Sequence, residues 1–269
     1  MAVLYSGGAD STCAAILKLK EFDKVHLITY NRFGLFHVGN ATTNAKKLKD
    51  KFGQNKFIHI TIDLNKLFRE VSYAEYIRNF KKHGFFLLST CGLCKLAMHI
   101  RTLIYCLDND IKHVCDGANK NAIYFPAQMP EVIREIKKMY AFYGIIYTTP
   151  IFNFDELKRT DWIDKLGVDD TTKKQNHSGP TSEALLFEYN LFSSDNIKGT
   201  KIDRQMQPRC FQFILFNIFL HWYYLPTYGF LKYKKTTVCF YKEKIEYFKN
   251  LIDSYLTQKE ESRLFKFTV

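Results

Sequence analysis

Short apolar runs alternate along the first half of the chain with longer stretches in which apolar positions recur every three to four residues, a pattern that predicts strands separated by amphipathic helices. Ala2-Val3-Leu4-Tyr5 reads as a strand that runs into Ser6-Gly7-Gly8-Ala9-Asp10-Ser11-Thr12 and then an alanine-rich helix through Leu19. Lys24 to Tyr30 predicts a second buried strand, Asn40 to Phe52 a lysine-faced helix stopped by Gly53, and Phe57 to Asp63 a third strand. Leu67 to Phe80 predicts a helix, Phe85 to Leu88 leads into Cys91, and Lys95 to Leu107 again has helical spacing. Lys112 to Cys115 reads as a fourth strand, Glu131 to Phe142 as a helix, Ile145 to Ile151 as a fifth strand, and Asp155 to Leu166 as a helix closed by Gly167. Such alternation implies an α/β fold with a doubly wound, mostly parallel sheet, whose ligands bind at the carboxyl ends of the strands.

Beyond Gly167 the pattern changes. Asp169 to Asn176 is polar, Asn176 to Pro180 reads as a loop, and Phe211 to Tyr233 is crowded with aromatic residues. Thr236 to Tyr241 has the look of a strand and Glu243 to Glu261 that of an amphipathic helix. We therefore expect two regions, residues 1–168 and a smaller, mainly helical 169–269. The aromatic segment either packs on the sheet or, with the lysines at Lys232 to Lys235, stacks exposed bases.

A hydrophobic fraction of 46% with 16% aromatics excludes a disordered chain. The longest apolar run, Phe211 to Leu225, is interrupted by Gln212, Asn217 and His221 and is too short to span a bilayer. The glycine loop at residue 6 leaves no room for a signal peptide, so a soluble, cytoplasmic protein without a membrane partner is expected. Seven cysteines without an export signal argue for thiols or metal ligands rather than disulfides. The net charge of +12 points to a polyanionic partner, nucleic acid before membrane.

Gly7 and Gly8 carry no Cβ, so the turn can present bare N–H groups, while Ser11 or Thr12 can cap the helix, whose N-terminus attracts an anion. No Gly-Lys-Ser/Thr follows and no Gly-x-Gly-x-x-Gly is present, which excludes a Walker A loop and a dinucleotide fingerprint. Ser6 to Ser11 matches the Ser-Gly-Gly-x-Asp-Ser signature in full, and there the chain resembles the PP-loop ATP pyrophosphatases. The resemblance implies ATP over Ser6, Gly7, Gly8, Asp10, Ser11 and Thr12, cleavage between the α- and β-phosphates, and Asp10 beside Mg²⁺. Gly117 and Asn119 match the Gly-x-Asn element of PP-loop enzymes that modify tRNA. The acidic pair that often follows is replaced by Lys120-Asn121, which leaves Asp116 as its substitute.

Cys91-Gly92-Leu93-Cys94 places two sulfurs within reach of one metal at a loop-to-helix junction, or of each other as a redox pair, or in a packed core. Its position just before the Gly-x-Asn strand, with one distant cysteine, resembles the iron–sulfur-dependent tRNA thiolation enzymes. What this implies is a [4Fe-4S] cluster on Cys91, Cys94 and Cys210, with zinc as the alternative metal and Cys239 as the alternative third ligand. His99, His177 and His221 lack metal-finger spacing from any cysteine, and Cys13, Cys106 and Cys115 read as core. Lys95, and less directly Arg101, would orient phosphate or stabilise an oxyanion, so that Asp10, Lys95 and Asp116 are the catalytic candidates. The implied reaction adenylates a nucleobase carbonyl in tRNA and then transfers sulfur from an unassigned donor; a homodimer is a further expectation. Two other readings stay open: a ligase resembling 7-cyano-7-deazaguanine synthase, acting on a carboxylate and ammonia, and a nucleotide-binding module without catalysis.

Overall fold

The computed structural model describes residues 1–84, 91–153, 181–194, 197, 200–206 and 208–268. Its centre is a five-stranded parallel sheet. β1 (Ala2–Leu4) lies in the middle, between β2 (Val25–Asn31) and the strand we label β5 (His113–Asp116), which comes after a short β3 (Leu35–Phe36) and β4 (Phe57–Asp63). β4 closes the β2 side and β6 (Ile146–Thr148) the β5 side. The chain thus winds outward from β1 to β2 and β4, then returns to start β5 on the other flank, which opens a crevice at the carboxyl ends of β1 and β5.

Both faces of the sheet are covered, and the alternation of side chains along β1 assigns each residue to a face. Ala2 and Leu4 bury with Ile28, Tyr30 and Val114; Val3 and Tyr5 bury with Val25, Leu27 and Cys115. α1 (Ala9–Leu19) and α2 (Gly39–Phe52) pack over the second set. α3 (Asn65–Tyr73), α4 (Tyr76–His83), α5 (Leu93–Asp108) and α6 (Pro130–Phe142) follow, and α3, α5 and α6 cover the first set.

The later helices complete the two layers. α7 (Thr181–Glu188) joins the α1 face, and a single turn, α8 (Lys201–Arg204), precedes β7 (Arg209–Cys210). β7 pairs antiparallel with β3, Leu35 opposite Cys210 and Phe36 opposite Arg209. α9 (Phe211–Phe219), a π-helical turn at Leu220–Tyr224, α10 (Leu225–Gln258) and α11 (Phe265–Thr268) pack on the α6 side, with α10 broken at Gly229.

The mostly parallel α/β sheet with a helical C-terminal region agrees with the expectation from sequence. Four details differ. The helix expected over Leu67 to Phe80 is two, because Ala74 is extended and Glu75 left-handed (φ 57°), a break that no Gly or Pro announces. Thr236 to Tyr241 is not a strand: together with Glu243 onward it lies inside α10, where Tyr233, Thr237, Phe240, Tyr241, Lys244 and Ile245 bury at helical spacing. Tertiary contact on that face outweighs the β propensity of Thr, Val, Phe and Tyr. The fifth strand is shorter than Ile145 to Ile151, and α5 begins at Leu93. The aromatic segment packs only in part, since Phe216, Leu220 and Tyr224 are buried whereas Phe211, Ile214, Leu215, Ile218 and Trp222 are exposed, and His221 lies at the surface against Tyr124. Among the described residues, no helix is long and apolar enough to cross a membrane. Phe85 to Leu88, the helix expected over Asp155 to Leu166, the loop at Asn176 to Pro180 with His177, and the boundary between 168 and 169 lie outside the described residues.

Candidate functional site

The loop after β1 is held in shape by its own side chains. Ser6 Oγ accepts the Gly8 N–H at 3.2 Å, Ser11 Oγ donates to the Gly8 carbonyl at 3.1 Å, and the same Ser11 oxygen accepts the Ser6 N–H at 3.3 Å. Gly7 has φ +78°, and a Cβ there would stand 2.7 Å from Ala41 Cα, so both conformation and space require glycine. Asn44 Nδ2 donates to the carbonyls of Gly7 and Met206, each at 3.0 Å, and ties the loop to α2 and to the chain before β7. α1 starts at Ala9 with Gly8 as its N-cap and no side-chain cap, so neither Ser11 nor Thr12 has the capping role expected of it. Thr12 is buried with its hydroxyl on Tyr5 Oη at 3.3 Å, turned away from the ligand side it was expected to face.

The loop forms one wall of a cleft of about 660 Å³. Ser6, Gly8, Asp10 and Ser11 line it from the β1 exit, Gly117 and Asn119 from the β5 exit, and Lys95 from α5. The two exits touch: a Cβ on Gly117 would lie 2.6 Å from the backbone nitrogen of Ser11. Asp10 Oδ1 accepts a hydrogen bond from Ser182 Oγ at 2.7 Å, and the Asn119 N–H donates to Gln128 Oε1 at 2.8 Å. Six of the eight expected nucleotide contacts therefore surround one space, while Gly7 and Thr12 support it from behind.

Asp116, at the end of β5, is fully buried and paired with Lys95 Nζ at 2.6 Å. Burial alone would raise its pKa; the Lys95 ammonium, His99 and the Ala118 N–H, donating at 3.0 Å, overcome this and hold the carboxyl below its usual value. His99 is buried against Tyr140 and Tyr147, with its Nε2 3.7 Å from Asp116. Burial first, and Lys95 after it, push the imidazole down to about 3 against the pull of Asp116, so His99 is neutral at physiological pH. The arrangement leaves Lys95 as a cation fixed by a carboxylate and directed along the cleft wall. Arg101 is elsewhere, its Nη2 donating to the Thr268 carbonyl at 3.4 Å.

At the other side of the cleft, Leu35 and Pro208 belong to the β3–β7 segment, which carries Cys210. Cys210 lies against Arg32 there. Burial pushes the Cys91 thiol up, and the charges of Cys94 and Cys210 add to that shift. Arg32, only 2% exposed, stacks 4.4 Å from the Phe68 ring centroid, donates from Nη2 to Cys210 Sγ at 3.1 Å and lies within hydrogen-bonding reach of Cys94. Two buried donors have no partner among the described residues, Arg32 Nε and Tyr241 Oη. Cys91, Cys94 and Cys210 are the thiols on which a metal was expected, with the Arg32 guanidinium against Cys210. Among the described residues, no three His, Cys, Asp or Glu side chains stand at metal-holding geometry, so the expected three-cysteine metal site is not formed in this structure. Cys239 is exposed on α10 and hydrogen-bonds Glu243 at 3.4 Å, whereas Cys13, Cys106 and Cys115 are buried in the core as expected.

Arg32, Asn44, Gln128, Ser182 and Tyr241 were not legible as site residues. Each acts on a residue at least nine positions away, and nothing in its own neighbourhood along the chain distinguishes it.

No protein-family model matches the chain, and no curated protein matches it. Among solved structures, the crystal structure of a predicted subunit of tRNA methyltransferase from Methanocaldococcus jannaschii DSM is similar over 78% of this chain and 94% of that one, with 18% identity and a TM-score of 0.39.

Proposed function

We propose that this protein is an AMP-forming ATP pyrophosphatase that adenylates a nucleobase carbonyl in tRNA and then exchanges the activated oxygen for sulfur. The observation that carries the reading is the single cleft bounded by the Ser6 to Ser11 loop and Gly117 at one side and by the β3–β7 segment that bears Cys210 at the other. The Gly8 to Ser11 end of α1 offers amide donors and a positive dipole end to the phosphates of ATP. Asp10 suits Mg²⁺ on the departing pyrophosphate. The carbonyl oxygen of the base attacks the α-phosphorus as the bond to the β-phosphate oxygen breaks, and Lys95, held by Asp116, stabilises the charge that develops. Sulfide then adds to the activated carbon, and AMP leaves with the former carbonyl oxygen. Cys91, Cys94 and Cys210 are the thiols that would hold an iron–sulfur group, which would supply that sulfide.

The test is anaerobic purification followed by assay of iron, acid-labile sulfide and zinc, and then of pyrophosphate release from ATP with and without tRNA. The expected result is about four irons and four sulfides per chain, as in one cubane, with RNA-dependent pyrophosphate release. Cys91→Ala, Cys94→Ala and Cys210→Ala each lose the iron, and Cys106→Ala keeps it. Zinc alone, with pyrophosphate release that needs no RNA, would move the assignment to the carboxylate and ammonia ligase. Absence of any pyrophosphate release would leave a nucleotide-binding module.

A further inference from the structure

The two-stranded ladder of β3 and β7 has two faces that carry different chemistry. Residues directly opposite one another in an antiparallel pair share a face, and successive residues alternate. Leu35, part of the cleft wall, therefore shares a face with Cys210, and Phe36 shares the other with Arg209. Both members of that second pair are exposed, Phe36 at 55%. The turn that leads into β3, closed by the Leu35 N–H donating to the Arg32 carbonyl at 3.1 Å, adds Phe33, 85% exposed. The Phe33 backbone is held on both sides: its N–H donates to Asn65 Oδ1 at 2.6 Å and its carbonyl accepts from Arg32 Nη1 at 2.7 Å. A ring in solvent on a backbone so fixed loses little conformational freedom when a partner covers it.

Large apolar side chains grouped in water beside a cleft mark a contact surface. Two observations choose the partner. The surface is continuous with the cleft, since Phe36 and Arg209 are the chain neighbours of Leu35 and Pro208, which line it. Its charge is positive: Arg209 stands opposite Phe36, Lys201 and Arg204 are exposed on α8 just before it, and the chain carries +12. Aromatic faces with cations at the edge of a cleft suit unpaired nucleotides, whose bases are free to stack, whereas a duplex keeps its bases covered. We propose that Phe33 and Phe36 stack the bases of an unpaired RNA segment beside the nucleotide that enters the cleft, with Arg209 on its backbone phosphate. The proposal rests on reading tRNA as the substrate, and it narrows the part recognised to a single-stranded stretch.

The test measures, by fluorescence anisotropy over a range of salt, binding of a short labelled RNA as a single strand and annealed to its complement. Wild-type protein is compared with Phe33→Ala, Phe36→Ala, Phe33→Tyr and Arg209→Gln, each checked for an unchanged melting temperature and for oligomeric state by sedimentation. The expected result is that wild type prefers the single strand, that Phe33→Ala and Phe36→Ala each weaken it about 10-fold at unchanged salt dependence, and that Phe33→Tyr, which keeps a stacking face, binds as wild type does. Arg209→Gln is expected to weaken binding and to lower the slope of log affinity against log salt by about 0.7, the share of one phosphate on a single strand. Wild-type affinity in both alanine variants, or equal binding of duplex and single strand, would overturn the stacking surface while RNA-dependent pyrophosphate release left the tRNA reading standing. A wild-type dimer that Phe36→Ala turns into monomer, with RNA binding unchanged, would assign the surface to a second copy of the chain and likewise overturn it. Wild-type protein that binds no RNA and releases pyrophosphate without it would overturn the tRNA reading, and the surface with it.

Discussion

Gly117 shows how much of this site hangs on one missing methyl group. The would-be Cβ at this position meets the backbone of Ser11 at 2.6 Å and of Asp10 at 2.7 Å, and neither is a flexible side-chain end that can swing away. Gly117→Ala is expected to separate the β1 and β5 exits, to lower stability by about 1–3 kcal/mol as in other overpacked sites, and to weaken ATP binding about 10-fold, since roughly 1.4 kcal/mol of lost cradle contact corresponds to that factor. Urea unfolding and calorimetric ATP titration check the two effects separately. His99 makes a prediction about pH. Its folded pKa, about 3, lies below the unfolded value of 6.5, so below pH 6.5 the unfolded chain binds the extra proton. Stability is present in full above that value and falls by up to about 1.4 kcal/mol per pH unit as the pH drops from 6.5 toward 3. Asp116 is also lowered, from 3.8, so its contribution is lost only at the acid end of that range. Unfolding midpoints of wild type and His99→Gln at several pH values measure the slope, which the variant is expected to lack between pH 6 and 4.

Helix α5 is the element that connects the two ends of the cleft. Its first turn carries Cys94 and Lys95, and its inner face buries Leu93, Leu96, Ala97, Ile100, Leu103 and Ile104 in the larger core. The registration of sulfur and ammonium thus depends on apolar packing several turns long. Ile100→Ala leaves a cavity beneath that face and is expected to cost about 2–5 kcal/mol, with a larger loss of iron retention than Cys106→Ala causes. Denaturant unfolding and iron assay on the same preparations test this. The β3–β7 pair is the second decisive element. Only two residues long on each side, it brings Cys210 from 178 residues away onto Arg32, and no hydrophobic periodicity signals so short a strand.

For the whole molecule, the exposed aromatic ridge and the basic charge are separate from the core that stabilises the fold. Trp222 is 84% exposed. Trp222→Ala is therefore expected to change stability by less than about 0.5 kcal/mol, as surface substitutions do, a value that thermal or urea unfolding checks. The same variant is expected to bind tRNA several-fold more weakly if this face stacks on bases, read by filter binding at fixed salt. The +12 net charge adds a salt dependence to that binding, with affinity falling as ionic strength rises.

Local pattern alone determined the parallel α/β architecture, because alternating short apolar runs and amphipathic stretches admit few other ways to bury both faces of β1. The glycine turn at Ser6 to Ser11 was legible as a place where backbone can approach a ligand, while Gly117 and Asn119 were singled out by their resemblance to a family element. The tertiary structure decided what local pattern does not encode: that Thr12 faces the core, that Thr236 to Tyr241 is helical, and that Asp116 holds Lys95. It also decided that Cys210 reaches Arg32 across 178 positions of sequence. Each of these depends on partners far away in sequence, where burial and the neutralisation of buried charge, rather than propensity, select the conformation.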